Sequence, residues 1–153
     1  FFKEKVELNT PKTPFNDQIK DILENSKTVA VIGCSSNPYR TSFHIAEYLR
    51  KNGFTIIPIN PNEKEVFGEE SYDSILDLPD DLQVDIIDIF RNKKYTKEMV
   101  DEIVAWSERT GQKPLIWTQL DVSTDKAKSL AKKNEFPYVE NRCLMVEHRS
   151  IKS

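Results

Sequence analysis

Glycine is scarce in this sequence, with four in 153 residues, where about 7% is usual. That scarcity excludes collagenous, glycine-rich and flexible-linker architectures, and it predicts that each glycine stands where the backbone demands one. Cysteine is scarcer still. Cys34 and Cys143 are too few and too far apart for a disulfide framework or a CxxC metal site, so a reduced, cytoplasmic setting is expected. No apolar run approaches the roughly 20 residues that span a bilayer. The charged start, Phe1 to Asn9, lacks the apolar core of a signal peptide, so no membrane partner is expected. Positive charge is not in excess either: 22 Lys and Arg face 25 Asp and Glu, a net charge of −3. A chain of that balance lacks the basic face of a nucleic-acid binder.

What is present is ordinary for a globular domain: 38% hydrophobic and 31% charged residues, in a length that buries a real core. No internal repeat or low-complexity tract occurs. Residues 1–26 read as an extension with one helix, and 27–153 as the domain proper, a single domain overall. Short apolar runs recur at Lys27–Ile32, Phe54–Ile59, Val84–Phe90 and Leu115–Thr118, with a weaker fifth at Phe136–Glu140. Such runs predict strands buried on both faces, as in a parallel sheet. Between them lie helical stripes: Phe43, Ala46 and Leu49; Met99, Val100, Ile103 and Trp106; Ala127, Leu130 and Ala131. Phe15, Ile19, Ile22 and Leu23 predict a further helix before the first strand. Gly53 and Gly111 sit where helix C-termini are expected, and Ser42 and Ser123 or Thr124 are candidate N-caps. The connection from Asn60 to Gln83 reads as a loop with one short helical turn near Ser74–Leu78. The alternation predicts an α/β fold: a Rossmann-like, doubly wound parallel sheet of about five strands in three α/β/α layers, with an extra N-terminal helix.

In such sheets ligands bind outside the carboxyl ends of the strands. The first of these ends carries Gly33-Cys34-Ser35-Ser36-Asn37-Pro38-Tyr39-Arg40-Thr41-Ser42, leading into a helix. Backbone amides, hydroxyls and a helix N-terminus make this an anion site in prospect, and Arg40 adds a fork that matches phosphate. The loop is neither GxGxxG nor GxxxxGK[ST]. The second strand ends on Asn60 where a nicotinamide-ribose carboxylate would stand. The alternative is an ordinary turn capped by Ser42, with Arg40 solvated.

The blocks VAVIGCSSNPYRTSFHIAEYLRKNGFTIIPINP, VFGEESYDSILDLP, VDIIDIFR, LIWTQLDV and NRCLMVEH, in that order, resemble the small bacterial stand-alone CoA-binding proteins. This YccU-like family is related to the CoA-binding domain of succinyl-CoA synthetase. The resemblance runs from about Lys27 to His148. It implies a Rossmann-like domain that binds coenzyme A or an acyl-CoA, as a sensor, carrier or regulator. The phosphates would lie over Gly33, Cys34, Ser35 and Ser36, near Arg40 and Ser42. The adenine end would lie near Asn60, Pro61, Phe90 and Arg91, and Gln119 would border the same cleft. Pro61 and Phe90 offer flat apolar surface to a purine, and Arg91 offers charge to phosphate. Each also has a plain reading: Asn-Pro as a turn, Phe90 as core, Arg91 as a solvated strand end.

The synthetase's phosphohistidine and ATP-grasp machinery have no counterpart here, so its catalysis is not carried over. No Ser-His-Asp, HExxH or Cys/His metal spacing is visible around His44 and His148, and no catalytic or metal-binding residue is assigned. A CoA-dependent transferase or another nucleotide-dependent enzyme is the alternative class; a regulatory interaction protein with a silent CoA site is another. Cys34, near a helix N-terminus, is either a redox-sensitive thiol or a small residue filling a tight turn. Asp88 lies within the third strand, on the same face as Ile86 and Phe90. If buried it needs a partner, so it is either a structural hydrogen-bond anchor, the first reading, or a site residue. A homodimer or an unidentified protein partner is also expected, because Trp106, Tyr138 and Leu144–Val146 offer apolar surface.

Overall fold

Thr28 to Ile32 and its sister runs place apolar residues at successive rather than alternate positions because both faces of the sheet are covered. The computed structural model describes residues 16–152. In chain order the elements are α1 (Asn16–Asn25), β1 (Thr28–Ile32), α2 (Thr41–Lys51), β2 (Thr55–Ile59), β3 (Glu65–Val66), β4 (Glu69–Glu70), β5 (Ile86–Ile89), α3 (Thr96–Thr110), β6 (Leu115–Thr118), α4 (Asp125–Lys133), β7 (Tyr138–Val139) and α5 (Leu144–Lys152). Short 3-10 turns occur at Ile75–Asp77 and Lys93–Tyr95. Helix α1 is the expected N-terminal helix; Phe15 of its predicted stripe lies outside the described residues.

Five parallel strands form one sheet in the order β2-β1-β5-β6-β7. The order reverses direction between β1 and β5, which is the switch point of a doubly wound, Rossmann-like sheet. Alternate residues feed two cores. Ala30, Ile32, Ile57, Ile59, Ile87, Ile89 and Ile116 face α3 and α4. Val29, Val31, Ile56, Ile86, Trp117 and Val139 face α1, α2 and α5. The three-layer α/β/α architecture is therefore as the sequence predicts. Each buried Ile or Val side chain contributes about 1.5–3 kcal/mol.

The β3–β4 hairpin and α5 are not foreseen in the sequence. The hairpin turns on Phe67 and Gly68, both at positive φ (57° and 77°), and a phenylalanine gives no turn signal. The Phe67 ring packs against Phe43, with centroids 4.9 Å apart, and under the Arg50 guanidinium at 5.0 Å. Helix α2 thus holds a backbone conformation that phenylalanine rarely adopts.

The apolar surface expected of Trp106, Tyr138 and Leu144 is absent. All three are fully buried: α3 and α5 turn Trp106 and Leu144 onto the sheet, and Tyr138 lies within it on β7. Of that set Val146 alone is exposed. The surface argument for a homodimer falls with them.

Candidate functional site

The loop from Gly33 to Arg40 leaves the carboxyl end of β1 beside the switch point, and Gly33 fixes its departure. Its φ is +86°, and a Cβ there would stand 3.0 Å from the Phe90 carbonyl oxygen. The Gly33 N–H donates to the Ile59 carbonyl of β2 at 2.7 Å. Side chains then fold the loop onto itself. The Ser42 hydroxyl accepts from the Ser35 N–H at 3.1 Å, Ser35 Oγ accepts from the Asn37 N–H at 3.0 Å, and Asn37 Oδ1 accepts from the Tyr39 N–H at 2.9 Å. Asn60, at the end of β2, donates from Nδ2 to the Cys34 carbonyl at 3.0 Å.

Ser42 is not an N-cap. Arg40 stands in that position, without a side-chain cap, and Ser42 is the second residue of α2. Its hydroxyl closes the loop instead. Arg40 is exposed, and its guanidinium makes no ion pair among the described residues.

One side chain that sequence reasoning passed over enters the loop. Glu63 reaches back from the turn after β2 and accepts from the Ser36 N–H at 2.9 Å and from Ser36 Oγ at 2.8 and 2.9 Å. The sequence holds Asn60 where a strand-end carboxylate is sought. The acid stands three residues later, in the turn formed by Asn60 Oδ1 accepting from the Asn62 N–H and the Asn60 carbonyl accepting from the Glu63 N–H. An acidic residue closing an Asn-Pro turn is the signal that would have found it.

Pro61 and Arg91 meet. With Ile32, Ile59, Ser74 and Met99 they line a cavity of about 230 Å³ at the switch point, bordered by Asp73, Glu98 and Glu102. Ser74 Oγ donates to Glu102 at 2.7 Å, and the Arg91 guanidinium lies 4.7 Å from the Tyr95 ring centre. Phe90, the adjacent residue, turns the other way and packs with the core facing α2. Pro61 and Phe90 therefore stand on opposite sides of the sheet edge. Gln119 is buried, and its Oε1 accepts from the Leu144 N–H at 3.1 Å. It holds the start of α5.

Cys34 is not an activated thiol. It is fully buried, and burial, with the charge of Glu63 adding, pushes its pKa up to about 12. A thiolate there is strongly disfavoured. Asp88 also departs from expectation. It is fully buried, in register between Val31 of β1 and Trp117 of β6, yet neither carboxylate oxygen has a hydrogen-bond partner among the described residues. It anchors nothing there. Burial raises its pKa well above the usual carboxylate range, so the neutral acid is favoured. Among the described residues no group of three His, Cys, Asp or Glu side chains is placed to hold a metal ion.

The CoA binding domain family matches residues 27–149, a span that contains the loop, the cavity and the whole sheet. This chain belongs to that family. The uncharacterized protein YneT of Bacillus subtilis is 28% identical over 141 residues, covering 92% of this chain and 99% of YneT. An 89-residue stretch is 36% identical to the ADP-forming acetate–CoA ligase II of Archaeoglobus fulgidus, covering 57% of this chain and 12% of that enzyme. A solved structure of a hypothetical protein from Pyrococcus horikoshii superposes with a TM-score of 0.83 at 30% identity, covering 92% of this chain and 94% of that one. Among the described residues no helix is long and apolar enough to cross a membrane.

Proposed function

We propose that the protein binds coenzyme A or an acyl-CoA at the carboxyl edge of its sheet and acts by binding, as a sensor, carrier or regulator, rather than by turnover. The diphosphate lies over the Gly33–Ser36 backbone with Arg40 beside it, and the adenine end lies towards Asn60, Pro61 and Arg91. Phe90, Ser42 and Gln119 shape the edge from behind. The observation that carries the reading is the Ser36 clasp: its N–H and hydroxyl together hold a carboxylate at 2.8–2.9 Å. A loop that holds an anion in this way, in a chain of the CoA binding domain family, is suited to a phosphate.

Calorimetry and thermal melting test it. CoA at about 100 times its Kd stabilises the fold by about 2.7 kcal/mol through mass action, and the melting temperature rises accordingly. Arg40→Ala weakens binding by about tenfold, as expected for loss of one charge-assisted contact. NAD(H), measured in parallel, gives no comparable shift. Absence of both heat and a melting shift with saturating CoA would sink the reading.

A further inference from the structure

Ser36 sends its donors to a carboxylate outside the loop. Its neighbours bond among themselves: Ser35 to Ser42, Asn37 to Ser35, Tyr39 to Asn37. Ser36 gives both its N–H and its hydroxyl to Glu63. The carboxylate is half-buried, and among the described residues it pairs with no Lys or Arg. Its charge is compensated by the Ser36 donors, in the geometry with which a loop binds an exogenous anion. It also lies close enough to Cys34 to disfavour a thiolate there.

We infer that Glu63 is a resident anion of the β1–α2 loop, displaced when a phosphate-bearing ligand binds, and that it sets the minimum charge such a ligand must carry. Two anions do not share the Ser36 donors, because a phosphate oxygen arriving beside the carboxylate is repelled at close range. A monoanion gains nothing by the exchange, since it trades one carboxylate-like contact for another. A diphosphate gains, because it brings further charge to Arg40 and to the loop backbone as well as to Ser36. Glu63 is thus a specificity-determining residue, and the occupied loop lowers apparent affinity by the fraction of molecules in which Ser36 is released. The inference rests on the CoA reading for the identity of the ligand, but not for the exchange itself.

The test is titration calorimetry of the full chain with CoA and, separately, with inorganic pyrophosphate. Four proteins are compared: wild type, Glu63→Ala, Glu63→Gln and Glu65→Ala. Glu65 is an exposed acid on β3, so its removal reports a general change of charge. Glu63→Ala is expected to bind both probes about tenfold more tightly than wild type, the scale of removing one like charge at close range. Glu63→Gln gives a smaller gain in the same direction, and Glu65→Ala leaves binding unchanged. Equal or weaker binding by Glu63→Ala overturns the inference, as does an equal gain in Glu65→Ala. Tighter pyrophosphate binding by Glu63→Ala, with no CoA binding by any variant, upholds the inference and removes the CoA reading. No binding of either probe by any of the four proteins overturns both.

Discussion

At the scale of single residues, Gly33 and Asp88 mark opposite ways in which the fold treats a side chain at the site. Gly33 has none because there is no room: positive φ and the Phe90 carbonyl both exclude a Cβ. Gly33→Ala is expected to cost roughly 1–3 kcal/mol of stability from backbone strain, with the clash against Phe90 in addition. Gly53→Ala, at φ +94° with open space around its Cβ position, bears the strain without the clash. Denaturant midpoints of the two variants separate the two contributions; equal losses would remove the role of the close approach. Asp88 keeps a carboxyl where no partner stands. Its folded pKa is raised, so the folded protein holds a proton that the unfolded chain releases above about pH 4. The contribution of Asp88 to stability is therefore complete below that pH and is lost as pH rises, by up to about 1.4 kcal/mol per unit. Asp88→Asn removes this slope, so unfolding free energies at acid and neutral pH should diverge between the two proteins, with the variant gaining at neutral pH. Parallel curves would show that Asp88 is ionised in the fold.

At the scale of elements, α5 is held from outside its own sequence. Its first amide is satisfied by Gln119 from β6's end, its His148 Nδ1 meets the Tyr48 hydroxyl of α2 at 2.8 Å, and its Lys152 donates to Asn52 at 2.6 Å. Removing the first contact with Gln119→Leu leaves a buried N–H unpaired, at about 1–3 kcal/mol. The expected result is faster hydrogen exchange in the first turn of α5, with β5 unchanged. Burial, then the nearby Lys152 charge, lowers the His148 pKa. A lowered folded pKa means the contribution of this group is present above the ordinary histidine range and is lost as pH falls through the folded value. Exchange along α5 should accelerate on mild acidification, and His148→Phe should flatten that dependence. An unchanged acid response in His148→Phe would assign it elsewhere.

At the scale of the whole molecule, two cores share one sheet, and each has its own tryptophan: Trp106 among the residues facing α3 and α4, Trp117 on the other side. If the sheet couples them, unfolding followed by fluorescence of Trp106→Phe and of Trp117→Phe should each coincide with its own far-UV transition. Separated midpoints would mean the faces open independently. The sheet was legible in the sequence because short apolar runs such as Val29–Ile32 recur between helical stripes, the pattern of strands buried on both faces. The loop after β1 was legible because it follows such a run and leads into a helical stripe. What escaped depends on partners distant in sequence. Gln119 begins a helix 25 residues away, Phe67 takes its turn because α2 supplies Phe43 and Arg50, and Glu63 acquires its role from Ser36, 27 residues earlier. Asp88 escaped for the opposite reason: its burial was foreseeable, but its lack of a partner was not.

Gly33 also has a kinetic consequence. Its amide is tied to β2 and it lies close against Phe90 at the end of β5, so the start of the loop moves with three strands rather than with solvent. Ser42 ties Ser35, two residues on, to α2. A ligand arriving there meets a surface with little of its own disorder to lose, so encounter need not wait for the backbone to rearrange. Glu63 apart, substitutions around the loop that leave these ties intact should alter how long a ligand stays far more than how quickly it arrives.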